Sequence, residues 1–80
     1  MPLVWITKAN YIQEYKIELE FNNNQKGIVD LKNYLDKKIF QSLKNIENFK
    51  NFKLNSWTIE WENGADFSPE FLLDKINLSS

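Results

Sequence analysis

The sequence predicts a small α+β domain: an antiparallel sheet, made of a three-stranded meander plus a later hairpin, packed against two to three short helices. Three observations predict it. Residues 11–21 alternate apolar and polar side chains, as a half-buried strand requires. Residues 57–61 alternate in the same way and run into Asn63-Gly64, the strongest short hairpin signal. Ser68-Pro69-Glu70 then opens a helix, with Ser68 as N-cap, Pro69 at the first helical position and Glu70 at the positive end of the dipole.

The elements follow in order. Residues 3–9 read as a first strand, with Leu3, Trp5 and Thr7 facing one way and Val4 and Ile6 the other, so its start is expected to be covered on both sides. Residues 11–21 form the clearest strand, continuous, with Tyr11, Gln13, Tyr15, Ile17, Leu19 and Phe21 on the core face. Its other face is a solvated row in which Lys16 relieves Glu14, Glu18 and Glu20. Asn22-Asn23-Asn24 is a turn, since asparagine tolerates left-handed backbone. Residues 25–29 return as a third strand, with Gly27 marking a bulge or a close approach.

Asp30 can cap a helix through its carboxylate. Leu31, Leu35 and Ile39 recur every fourth position beside Tyr34, which predicts an apolar stripe on a helix of about nine residues. Phe40 and Leu43 continue its contacts. Asn45 caps a second, short helical turn on which Ile46 and Phe49 share a face. Residues 52–54 are a strand. A two-residue hairpin at Asn55-Ser56 would pair Leu54 with Trp57 and Phe52 with Ile59, placing them with Trp61 on one face. A bulge that re-aims a continuous strand is the alternative. The return strand at residues 65–67 is very short. Residues 68–77 make the last helix, docked by Phe71 and Leu72, and residues 78–80 should fray.

Composition bounds the chemistry. Eighty residues make one domain, residues 1–80, without linker or repeat. Such a chain buries roughly 60–65% of the surface it exposes when unfolded, so twelve aromatic residues have to supply much of a thin core. Without cysteine there is neither a disulfide nor a thiolate zinc site, and without histidine there is no Ser-His-Asp or Cys-His nucleophile and no imidazole ligand. Two glycines leave no phosphate-binding loop. The chain is therefore read as not an enzyme, with no cofactor and no metal. All ten basic residues are lysine and the net charge is −1, so neither nucleic acid nor an anionic membrane is the expected partner. The first eight residues carry no basic n-region or long apolar run, which reads as a cytoplasmic chain without signal peptide or membrane span. Charge is uneven along the sequence. Residues 32–53 hold six lysines against Asp36 and Glu47, whereas residues 57–74 hold Glu60, Glu62, Asp66, Glu70 and Asp74 and no base.

The run from Trp61 to Glu70, Trp-Glu-Asn-Gly-Ala-Asp-Phe-Ser-Pro-Glu, resembles the tryptophan–x–Asn-Gly–x–Asp–x–x–Pro-Glu signature of a bacterial family, domain of unknown function 2442. Val29-Asp30-Leu31 after a strand and turn, and Leu43, Asn45 and Phe49, resemble further segments of that family, so the likeness spans residues 5–73. Glu62 stands where members more usually have proline, and residues 22–24 are asparagines where a glycine is common. The resemblance implies a small α+β domain, fused in some members to a helix-turn-helix that this chain lacks. It also implies a gene beside that of another small protein, and the label antitoxin.

Asp30, Trp61, Gly64 and Pro69 are read as the structural motif. Glu62, Asn63, Asp66 and Glu70 are the candidate contacts for a protein partner encoded nearby, steered by complementary charge. The alternative is a small-ligand or divalent-metal site built on Glu62, Asp66 and Glu70, since Mg²⁺ and Ca²⁺ take oxygen ligands. Self-association through an unpaired sheet edge is a third, structural possibility; the sequence leaves the oligomeric state open.

Overall fold

The computed structural model describes residues 3–79, with side chains up to residue 76. The expectations that fall on Met1, Pro2 and Ser80 lie outside the described residues. Strands β1 (Ile6–Gln13), β2 (Lys16–Phe21) and β3 (Lys26–Asp30) form an antiparallel sheet in the order β1-β2-β3. After two 3₁₀ stretches come the short helix α1 (Ile46–Phe49), the two-stranded pair β4 (Lys53–Leu54) and β5 (Ile59–Glu60), and the helix α2 (Pro69–Ser79). The α+β architecture, a meander plus a later hairpin with short helices, is the one the sequence predicts.

The continuous strand predicted over residues 11–21 is instead two strands. The chain reverses at Glu14-Tyr15, with Glu14 at a φ of 49°. The alternation conceals this turn because of a bulge. A regular two-residue turn would set odd positions of β1 opposite even positions of β2. The register shift between Tyr11 and Gln13 adds a residue, so Tyr11 faces Ile17 and Ala9 faces Leu19. Odd positions stay on the core face through the turn, as they would in a straight strand. The first strand accordingly begins at Ile6, which is buried, while Leu3 is exposed. Residues 3–5 are held by Asn22: its side-chain oxygen accepts from Trp5 N–H at 2.8 Å and its own N–H donates to Trp5 carbonyl at 3.0 Å. The asparagine turn forms as expected, with Asn24 left-handed at a φ of 70°.

Gly27 is a point of close approach, not a bulge. A Cβ built there would lie 3.0 Å from Ile76 Cβ. Helix α2 presents Leu72 and Ile76, both buried, to the Gly27–Val29 face of β3, and the missing side chain lets it settle there.

The nine-residue helix predicted after Asp30 does not form. Asp30 does start a turn, accepting from Lys32 N–H at 3.0 Å, but the turn is a 3₁₀ segment of Lys32–Tyr34. Asn33, Tyr34 and Asp36 are indifferent helix formers, and at Lys37 the backbone goes extended before a second 3₁₀ stretch, Lys38–Lys44. Leu31 and Leu35 are buried as the stripe requires, yet Ile39 is rotated out to 49% exposure, and Phe40 and Leu43 enter the core instead. Asn45 caps α1 through Glu47 N–H at 2.9 Å, as predicted.

The second hairpin exists with a different loop. Leu54 pairs with Ile59 and Lys53 with Glu60, not Leu54 with Trp57. The Asn55 side chain accepts from both Trp57 and Thr58 N–H at 2.7 Å, which stabilises a four-residue loop over the two-residue one. Trp57 therefore leaves the core: it is 37% exposed and lies edge-on to Trp5, centroids 6.3 Å apart. Its carbonyl accepts from Ile6 N–H at 2.9 Å, which ties this loop to β1. Ile59 and Trp61 remain buried.

The Gly27 contact yields a stability prediction. Gly27→Ala should lower the unfolding free energy by about 1–3 kcal/mol, because Ile76 must move to admit the methyl group. In an Ile76→Ala background the same change should cost clearly less. A double-mutant cycle by urea denaturation would measure the coupling, and equal costs in both backgrounds would show that the two do not meet.

Candidate functional site

Residues 57–71 fold around Trp61. Its indole Nε1–H donates to the Phe49 carbonyl at 2.6 Å. Its ring meets Phe49, Phe52 and Phe67 at centroid distances of 5.7, 6.2 and 5.9 Å. Gly64 N–H donates to Trp61 carbonyl, Trp61 N–H donates to Ala65 carbonyl, and Gly64 takes a φ of 87°. That is a three-residue hairpin loop closed by a left-handed glycine. Only Gly64 needs positive φ; Asn63 has another task. Its side-chain oxygen accepts from Ala65 N–H at 3.0 Å, while its Nδ2 donates to Ile39 carbonyl at 2.9 Å and Ser42 Oγ at 3.3 Å. Asn63 thus clasps the hairpin to the second 3₁₀ stretch.

Below the loop, Asp66 bridges to Glu60 and closes the return strand. The buried Thr58 hydroxyl donates to Phe67 carbonyl at 2.7 Å. Ser68 Oγ accepts from Phe71 N–H at 3.1 Å, so Ser68 caps α2 and Pro69 opens it, as predicted.

The four candidate contact residues are not brought to one point. Glu62 and Asn63 border a shallow cleft of about 280 Å³ with Ser42, Asn48 and Asn51. Asp66 borders a different and larger cleft of about 430 Å³. Glu70 is exposed in the first turn of α2, the turn whose Ser68 and Phe71 line the larger cleft. No ion pair engages Glu62, Asp66 or Glu70 among the described residues. Among the described residues no group of three or more acidic side chains is placed to hold a metal ion. The three acids proposed for a divalent cation are thus too scattered for that chemistry.

The larger cleft has an aromatic floor. Phe40 and Phe67 stack at 4.6 Å with an interplanar angle of 1°, Phe67 and Phe71 at 5.4 Å and 13°, and Tyr34 meets Phe71 edge-on at 5.3 Å. Lys75 lies over both Tyr34 and Phe71, about 5 Å from each centroid. Asp36, Lys37 and Asp66 stand on the rim. Asp36 pairs with Lys44 at 3.8 Å, an exposed contact. Sequence reading missed Tyr34, Asp36 and Phe40 as site residues. No local pattern marks them, because the cleft forms only where the two 3₁₀ stretches meet the start of α2.

A family model described as a protein of unknown function, DUF2442, matches residues 6–77. The chain belongs to this family. The match spans the meander and residues 61–70. Within this DUF2442 domain the geometry gives Trp61, Gly64 and Pro69 structural roles, as indole clasp, left-handed turn residue and helix start. No curated protein and no solved structure matches the chain. Among the described residues, no helix is long and apolar enough to cross a membrane.

These roles separate in mutants. Asn63→Ala removes three hydrogen bonds of the clasp and should cost about 1–2 kcal/mol of stability. Gly64→Ala forces a methyl-bearing residue to a φ of 87° and should also cost about 1–2 kcal/mol. Glu62→Gln, on the same loop, should change stability by no more than roughly 0.5 kcal/mol. Chemical denaturation of the three variants side by side tests the assignment.

Proposed function

We propose that this DUF2442 domain is a non-catalytic protein-interaction module of the cytoplasm. In this reading it docks a partner chain in the aromatic cleft beside Asp66 and Glu70. The observation that carries it is the coincidence, in one cleft, of the half-buried Tyr34 and Phe71 rings with Asp66, an acid that no ion pair engages among the described residues. Interfaces rely on such pairings: aromatic pockets anchor, and rim charges steer and select. The occupant this supports is a short segment with an apolar or aromatic anchor flanked by basic residues. Lys37, which also lines the cleft, selects against a uniformly basic segment. A partner encoded beside this chain, in a two-gene pair of the toxin–antitoxin kind, is the source that the family likeness suggests. Absence of histidine and cysteine from the whole chain supports a binding role over a catalytic one.

Co-expression with the product of the adjacent gene, followed by co-purification and calorimetry, tests the reading. Asp66→Lys combined with Glu70→Lys should weaken the complex at least tenfold while leaving the melting temperature near that of the parent. Unchanged affinity would remove this surface as the site. The metal reading is checked in the same melts. Saturation of a real site at 100 times its dissociation constant would stabilise the fold by roughly 2.7 kcal/mol. Millimolar Mg²⁺ or Ca²⁺ is expected to produce no shift.

A further inference from the structure

The outer edge of β3 carries a pattern that the partner-binding cleft does not use. The bonds Phe21 N–H to Gln25 carbonyl and Leu31 N–H to Tyr15 carbonyl fix which positions of β3 are bonded to β2. They are the odd positions, in the register that sets Leu19 against Gly27 and Ile17 against Val29. The backbone N–H and C=O of Lys26, Ile28 and Asp30 therefore point away from β2. Among the described residues no other element bonds to them. Their side chains occupy the exposed face of the sheet, opposite the face that α2 covers, and Ile28 is 42% exposed. An unpaired strand edge is a template for another strand.

We infer that this edge pairs with the same edge of a second copy of the chain, antiparallel and centred on Ile28. The residues are self-complementary in that register. Ile28 falls opposite the partner copy's Ile28, and Lys26 and Asp30 fall opposite their counterparts of opposite charge. All three pairs lie at bonded positions, so each exchanges two backbone hydrogen bonds. A two-fold axis through Ile28 is the closed arrangement usual in homodimers. The charges also continue the pattern within each chain, where Lys26 faces Glu20 and Asp30 faces Lys16. A register slipped by two residues would break both charged pairs, which is how opposite charges select a pairing.

Sedimentation over a range of concentrations, with cross-linking, tests this directly. The chain has no cysteine, so single substitutions report the register cleanly. Ile28→Cys should cross-link to itself under mild oxidation, because directly opposed bonded residues lie about 5.5 Å apart at Cα, within disulfide reach. Lys26→Cys should not, since its two copies are roughly 13 Å apart along the strand. A mixture of Lys26→Cys and Asp30→Cys chains should form the mixed cross-link. Lys26→Asp should weaken dimerisation at least tenfold, and adding Asp30→Lys should restore it, with circular dichroism showing that each variant stays folded. A wild-type chain that remains monomeric at millimolar concentration would overturn the proposal. So would failure of Ile28→Cys to link, or equal self-linking by Lys26→Cys. These outcomes leave the cleft reading untouched, because no residue of this edge lines the cleft.

Discussion

The hydrogen bond from the Trp61 indole to the Phe49 carbonyl holds the two halves of this small fold together. Phe49 ends α1, a helix of one turn whose last carbonyls have no partner inside the helix. Trp61 supplies one, and its ring fills the space between Phe49, Phe52 and Phe67. Phe49 in turn meets Tyr11 and Tyr15 on the meander, at 6.3 and 5.2 Å. Phe49 and Trp61 together thus connect the first sheet, the irregular middle and the C-terminal hairpin. This matters most for residues 31–52, where there is little regular structure to supply its own stability. Long-range bonds do the work there: Asn63 to Ile39 and Ser42, and the Tyr15 hydroxyl to the Lys44 carbonyl.

Aromatic rings take the place that disulfides or a metal occupy in many chains of this size. They run in contact from Tyr11 and Tyr15 through Phe49, Trp61, Phe67 and Phe71 to Tyr34. The last members of the series reach the surface, and the floor of the candidate cleft is the outer end of the core. Stability and recognition are therefore coupled in this domain. A truncation at Phe67 or Phe71 would disturb both, which is why exposed acids are the better probes of binding.

Much of the candidate site was legible locally, and its assembly was not. Ser68-Pro69 and Asn63-Gly64 declared themselves because capping and left-handed backbone are decided within a few residues. Asn63 looked like a surface contact, but its amide is spent on the Ile39 carbonyl and the Ser42 hydroxyl, residues more than twenty positions away. The three acids looked like a cluster because they are close in sequence. The chain reverses between Glu62 and Asp66, and sends them to different clefts. Trp57 shared the alternation of Ile59 and Trp61, yet two bonds to the Asn55 side chain lengthen the loop and place it at the surface.

The sequence by itself determined the class of fold, the meander and the caps of both helices, while the need for a small residue at position 27 was settled by the approach of Ile76 from α2. The first three follow from side-chain period and capping chemistry. Tertiary structure alone decided the turn at Glu14-Tyr15, because a bulge preserved the parity that a turn would have reversed. It also decided the fate of residues 31–39, where an apolar stripe adequate for a helix was overridden. Weak local propensity could not hold those residues helical once Leu31, Leu35 and Phe40 each found a buried place in the core.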